Sequence, residues 1–227
     1  MKRSEINRIL IEAIKFFESR KFKLPPFGHW TPRDWKKAGH DADEIRRNML
    51  GWDITDFGSG DFPRCGLTLF TLRNGSLRDK KSGKTYCEKI MVVDEEQVTP
   101  MHFHWSKTED IINRGGGNLV VELHNADKKD DLAKTEVKVS VDGVVRRVAA
   151  GDRVILRPGE SITLTPRLYH KFWGQKGKGK VLVGEVSTVN DDTKDNNFHG
   201  GLPRFSAIEE DAPPNHYLCS EYPPATG

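Results

Sequence analysis

Cysteine is scarce in this sequence, with three residues among 227. An odd number at wide spacing excludes a disulfide framework and any Cys-x-x-Cys metal clip, so Cys65, Cys87 and Cys219 are expected as free thiols. No apolar run approaches the ~18 residues needed to span a bilayer, and no membrane partner is expected. A signal peptide is missing as well: Lys2 and Arg3 are followed by Glu5, Asn7 and Arg8, which interrupt any apolar core. A cytoplasmic location follows. Nor is there charge of one sign to speak of. The 36 Lys and Arg interleave with 33 Asp and Glu, and with no arginine-rich arm the net +3 argues against a nucleic-acid partner. No long helical pattern alternates with strand patterns, which excludes Rossmann and TIM-barrel architectures.

What is present begins with a helical preface. Ile6, Ile9, Leu10, Ala13, Ile14 and Phe17 recur at helical spacing behind Ser4, a candidate cap, and Pro25-Pro26 ends the pattern. A second helix is expected from Thr31, with Pro32 at its first position and Asp34 in its first turn, running through His40 to Met49 and stopped by Gly51. From Trp52 the pattern changes to short β-type runs: 66–72, 86–93, 97–105, 118–123, 137–141, 144–148, 154–156, 161–164, 169–173 and 181–186. Asn74-Gly75 reads as a turn, residues 80–83 as a charged loop, and Asp142-Gly143 as a two-residue hairpin. So many short strands fit a closed jelly-roll barrel with room inside. The polar, Pro-rich tail from Asn190 should pack on it, because Phe205, Ile208, Tyr217 and Leu218 need cover.

The chemistry sits in Met101-His102-Phe103-His104-Trp105-Ser106-Lys107-Thr108-Glu109. On a strand, residues i and i+2 share a face, so His102 and His104 point one way and Phe103 the other. A helix would turn the two histidines about 200° apart, and Pro100 argues against one. With Glu109 after four intervening residues, two imidazoles and a carboxylate can meet on one divalent cation.

His102, His104, Glu109 and Gly116 at this spacing resemble the first motif of the cupins. Gly151-Asp152 through Pro158-Gly159 and on to Tyr169-His170 resembles the second, which implies His170 as a fourth ligand. Glu96 and Pro166 depart from the usual pattern without touching the ligands. The implied fold is an all-β cupin double-stranded β-helix, or jelly-roll barrel, with an N-terminal α-helical extension. One domain is expected over residues 1–227: preface 1–51, barrel 52–189, tail 190–227.

A metal in such a site leaves positions for two adjacent substrate oxygens, polarising a carbonyl and acidifying the neighbouring C–H, as aldose–ketose isomerisation requires. Lys107 and Glu185 are the candidate acid/base groups, with the pKa of Lys107 expected to be depressed by a nearby cation. Asp191, Asp192 and Arg204 are candidates for sugar hydroxyls. Trp105 and Trp173 could face a sugar, with core packing the plainer use.

Over nearly its whole length the sequence resembles the bacterial D-lyxose isomerases. The resemblance is carried by the preface, Met101-His102-Phe103-His104 with Lys107 and Glu109, Tyr169-His170, Gly184-Glu185-Val186-Ser187, Asn190-Asp191-Asp192, and the tail from Arg204-Phe205-Ser206 to Glu209-Glu210-Asp211. It implies interconversion of D-lyxose with D-xylulose and of D-mannose with D-fructose, with Mn²⁺ foremost and Co²⁺, Zn²⁺ or Fe²⁺ as other ions, in a homodimer. The residues alone leave two alternatives open: an Fe(II) cupin dioxygenase, and a non-catalytic sugar-binding cupin.

Overall fold

The computed structural model describes residues 1–77 and 83–225. The helix α1 (Arg3–Ser19) buries the predicted stripe of Ile6, Ile9, Leu10, Ala13 and Phe17. Ser4 is not its cap. Lys2 stands there, and the amide and hydroxyl of Ser4 are instead met by the Asp211 carboxylate, at 2.9 and 2.6 Å, so the tail supplies the acceptor that a cap would. The helix also stops before Pro25-Pro26, at Lys21, whose φ of 58° turns the chain and lets Phe22 N–H donate to the carbonyl of Phe17.

The expected second helix is broken into α2 (Pro32–Trp35), a 3-10 turn over His40–Ala42, and α3 (Asp43–Arg47). Thr31 and Asp34 do form the capping box that starts it. No apolar stripe continues it past Gly39, and Arg46 donates to the carbonyls of Ala38, Gly39 and Pro223, fixing an irregular path.

Thirteen strands are assigned among the described residues: β1 (Gly51–Thr55), β2 (Leu67–Asn74), β3 (Tyr86–Val93), β4 (Thr99–His104), β5 (Glu109–Gly116), β6 (Leu119–Asn125), β7 (Val137–Val141), β8 (Val144–Val148), β9 (Arg153–Leu156), β10 (Ser161–Leu164), β11 (Leu168–Gly174), β12 (Val181–Thr188) and β13 (Asn196–Phe198). Eight form one sheet in the order β1-β2-β3-β12-β5-β10-β7-β8, and five the other, β13-β4-β11-β6-β9. Every named pair is antiparallel. This is a jelly-roll barrel of the cupin type with a small helical preface, as the sequence predicts.

Three strands escaped the sequence reading. β1 begins at Gly51, taken there only as a stop; β5 carries Asp110, Asn113, Arg114 and two glycines; β13 is three residues long. The Asp142-Gly143 hairpin joins β7 and β8 with φ of 50° and 80°, as two left-handed residues require. The expected loop at 80–83 lies largely outside the described residues.

The large sheet has two apolar faces. Inward, Leu69, Met91, Ile111, Val139, Ile162 and Val183 meet Leu119, Val121, Leu123, Val154 and Phe172 of the smaller sheet. Outward, Trp52, Ile54, Phe70, Ile90, Val92 and Leu182 receive α1, with Phe17 stacked on Trp52 at 6.0 Å. Each such fully buried side chain stabilises by about 1.5–3 kcal/mol. Of the tail residues expected to need cover, Leu218 is buried beside Trp52 and Ile208 packs on the outer cluster, whereas Phe205 is exposed. The three cysteines are free thiols. No helix among the described residues is long and apolar enough to cross a membrane.

Candidate active site

Alternation along β4 turns His102 and His104 into the barrel, and cross-strand register sets His170 of β11 directly opposite His102. The ligand-capable nitrogens of the three imidazoles lie within 4.8 Å of one another, all buried. Glu109, the first residue of β5, closes the group: its Oε1 is 3.2 Å from Nε2 of both His104 and His170.

The donor chemistry fits a divalent cation. His102 Nδ1 lies 2.7 Å from the Pro100 carbonyl and His170 Nδ1 3.0 Å from the Leu168 carbonyl. With those Nδ1–H groups donating to the backbone, both Nε2 atoms keep a free lone pair. Among the described residues, His170 Nε2, although near Glu109, and His104 Nδ1 are buried with no aligned hydrogen-bond partner, orphaned nitrogens that a cation would satisfy. Burial holds His102 well below the usual imidazole range, helped by the other two rings, and burial followed by Lys107 lowers His104. His102 and His104 are therefore neutral. Burial would raise Glu109, but Lys107 and His104 outweigh it and keep the carboxyl ionised.

Beside this group lies a buried charge network. Lys107 Nζ is 2.6 Å from Glu109 Oε2, 2.8 Å from Glu185 Oε1 and 3.3 Å from Asn190 Oδ1. The sequence reading expected a bound cation to depress the Lys107 pKa; the protein's own groups pull the other way. Burial opposes the charge, but Glu109, Glu185 and Asp192 together raise the pKa, so Lys107 is an ammonium donor.

Asp192 and Arg204 line the same cavity, 3.4 Å apart. Arg204 is anchored at 2.5 Å by Asp53 of β1, and its buried Nη1 has no partner among the described residues. Burial raises Asp53; Asp192 stays low because Arg204, Lys89 and Lys107 overcome its burial. Asp191 is not brought to the cavity wall. Its carboxylate accepts from the amide and hydroxyl of Thr193, at 3.1 and 2.6 Å, and shapes the turn.

Neither tryptophan packs in the core or lines the cavity. Trp105 is 44% exposed beside Arg167, and Trp173 is half-buried between Arg153 and Lys171.

Two cavity residues were missed. Lys89 is 3% exposed, with Nζ 3.4 Å from Glu185 and 3.0 Å from Asn190 Oδ1. The signal was available: in 86–93, alternation puts Cys87, Lys89, Met91 and Val93 on the inner face, so a lysine among apolar inward positions marks a polar interior. Phe198 stacks on His102 at 5.0 Å and had no legible signal, since it rides on the short β13.

A profile of the D-lyxose isomerase family matches residues 1–222. A D-lyxose/D-mannose isomerase of Serratia proteamaculans is 58% identical, and one of Escherichia coli O157:H7 is 52% identical; each alignment covers 98% of this chain and of the relative. Among solved structures, the L-ribose isomerase of Cellulomonas parahominis with L-ribose superposes with a TM-score of 0.60 at 17% identity, covering 92% of this chain and 98% of that one. The L-ribose isomerase of Acinetobacter sp. DL28 gives 0.61 at 15%, with the same coverage. At such identities the structures bear on the fold alone, but the family profile and the two close relatives span almost the whole sequence, and the chain belongs to the D-lyxose isomerase family.

Proposed function

We propose that this chain interconverts D-lyxose with D-xylulose and D-mannose with D-fructose by proton transfer between C2 and C1. The observation that carries the reading is a junction: three converging imidazoles and Glu109 on one side, and on the other Glu185, joined to them through Lys107. The two aldoses come from the names of the relatives at 58% and 52% identity, and the ketoses are their isomers with the carbonyl at C2. Lyxose and mannose share their configuration at C2, so one geometry serves both. The oxygenase and non-catalytic alternatives lose support from the same family membership.

His102, His104, Glu109 and His170 hold the ion in this reading, with Mn²⁺ foremost and Co²⁺, Zn²⁺ or Fe²⁺ as other candidates. When bound, a divalent cation polarises the sugar carbonyl and makes the adjacent C–H more acidic. Glu185 takes the proton from C2 of the aldose and returns it to C1, while the Lys107 ammonium gives a proton to O1 and regains one from O2. Two bonds to hydrogen break and two form. The unpartnered Nη1 of Arg204, with Asp192 and Lys89, binds the remoter hydroxyls. Asp191 lacks such support, its carboxylate being engaged in its own turn. A homodimer completes the reading, on the strength of the family resemblance.

The test is incubation of Mn²⁺-loaded protein with each aldose in D₂O. The matching ketose should appear and deuterium should enter the C–H position that exchanges. Protein that carries a full equivalent of metal yet converts neither sugar ends the proposal, and sedimentation at micromolar concentration decides the dimer.

A further inference from the structure

The four residues between β4 and β5, residues 105–108, must place Lys107 between two metal-ligand candidates; the Thr108 carbonyl accepts from Thr188 N–H at 3.0 Å, and the three residues before it are held by one distant residue. Trp105 N–H donates to the Asp195 backbone carbonyl at 3.0 Å; Ser106 N–H and Oγ donate to Asp195 Oδ1 at 2.8 and 2.7 Å; Lys107 N–H donates to Asp195 Oδ2 at 3.0 Å. Three consecutive amides thus converge on a single aspartate that is 8% exposed. Successive N–H groups aimed at one point form a concavity suited to an anion, and here the anion is built into the chain.

The placement of Asp195 makes the grip specific. It precedes β13, whose Asn196 pairs with His104 and whose Phe198 pairs with His102, so the clamp is carried by the segment that also backs the ligand strand. Asp195 does not line the cavity, so it has no contact with a substrate there. The four bonds fix where the Lys107 Cα sits, and from there the ammonium spans Glu109 and Glu185.

From this geometry we infer that Asp195 is a positioning residue for proton transfer, acting through the backbone of Lys107. The inference rests on the role proposed above for Lys107. An error of about 1 Å in placing a catalytic group costs on the order of 10²-fold in rate, so loss of the clamp shows in kcat while the metal ligands, on β4, β5 and β11, stay in place.

The experiment is a double-mutant cycle of Asp195→Asn with Lys107→Arg on metal-loaded protein, with metal content measured for each variant. Asp195→Asn keeps the size of the side chain and one acceptor oxygen, and Ser106→Ala, which removes one bond, serves as a milder second variant. In the wild-type background Asp195→Asn lowers kcat by about ten- to a hundredfold at unchanged metal stoichiometry. With Lys107→Arg present it costs less than about twofold more, because residues acting as one unit are non-additive. Wild-type kcat in Asp195→Asn overturns the inference, as does an equal loss in both backgrounds or a loss of metal that accounts for the rate. Wild-type kcat in Lys107→Arg and in Lys107→Met overturns the parent role of Lys107 instead, a result separable from the first.

Discussion

The two ends of the barrel interior are built from the same strands and yet are chemically opposite. Along β12, Val181 and Val183 belong to the apolar core and Glu185, two residues on, to the charged cavity. Along β3, Val93 and Met91 give way to Lys89 in the same way, and along β11 Phe172 gives way to His170. A period of two holds the inward direction while the residue type changes, so a single register error would displace the core and the site together. The apolar end is held mainly by packing, with the buried Asn113 side chain donating to the Gly117 and Leu156 carbonyls at 2.9 Å. The charged end is tolerated only because each buried ion has counter-ions within about 4 Å, and such pairs contribute less to stability than apolar replacements of similar volume often do. The fold therefore stabilises at one end what it uses at the other.

The sharpest break of this comparison comes from the imidazoles. His104→Ala should lose bound metal and lower turnover by about a thousandfold or more, since a metal ion supplies several kcal/mol of transition-state stabilisation. Metal analysis beside kinetics checks it, and a full equivalent of metal with normal turnover would refute the ligand assignment. Next is Glu185→Gln, which should keep its metal while kcat falls about 10²- to 10⁴-fold and deuterium no longer enters the substrate from solvent. Exchange at the wild-type rate would remove Glu185 as the base.

At the opposite end, Leu156→Ala should lower the unfolding free energy by about 2–5 kcal/mol through the cavity it leaves. Its kcat per folded, metal-loaded molecule should match wild type. A change in kcat comparable to that of Glu185→Gln would mean that the two ends are not separable.

The smallest effect concerns acid. Asp192 lies below its ordinary value of 3.8 despite burial, because Arg204, Lys89 and Lys107 surround it. The unfolded chain therefore takes up this proton first. The contribution of Asp192 is present above about pH 4 and is lost as the pH falls further, with a slope of at most about 1.4 kcal/mol per pH unit for one proton. Asp53, which burial raises, has the opposite sign and offsets part of this loss. Denaturant titrations between pH 5 and 3 should give a shallower acid slope for Asp192→Asn than for wild type, and an unchanged slope would count against the network.

Much of this contrast was legible from residue order. Strands with strong alternation or continuous apolar character were found close to their bounds, 86–93, 137–141 and 161–164 among them, because burial on one face leaves a period-two record, while the largely exposed 144–148 was found through the Asp142-Gly143 hairpin. β5 and β13 were not, since glycines and short polar side chains leave no such record where neighbouring strands enforce the extended form. The imidazole group was legible because its spacing is local on β4. The clamp at Asp195 and the Asp53–Arg204 pair were not, since each joins residues 88 or more apart in sequence. The carboxylates that hold Lys107 charged were hidden for the same reason: two of them, Glu185 and Asp192, arrive from far along the chain.

Because His102 and His170 stand opposite each other in hydrogen-bonded strands, their convergence is a property of the sheet and precedes any ion. The entropy of gathering those rings was spent when the ladder closed, so an incoming cation meets a finished cradle and its affinity is not drained by having to order loose chain. Removing the ion by chelation should accordingly leave a folded, reloadable barrel, unlike small zinc domains that unravel when stripped.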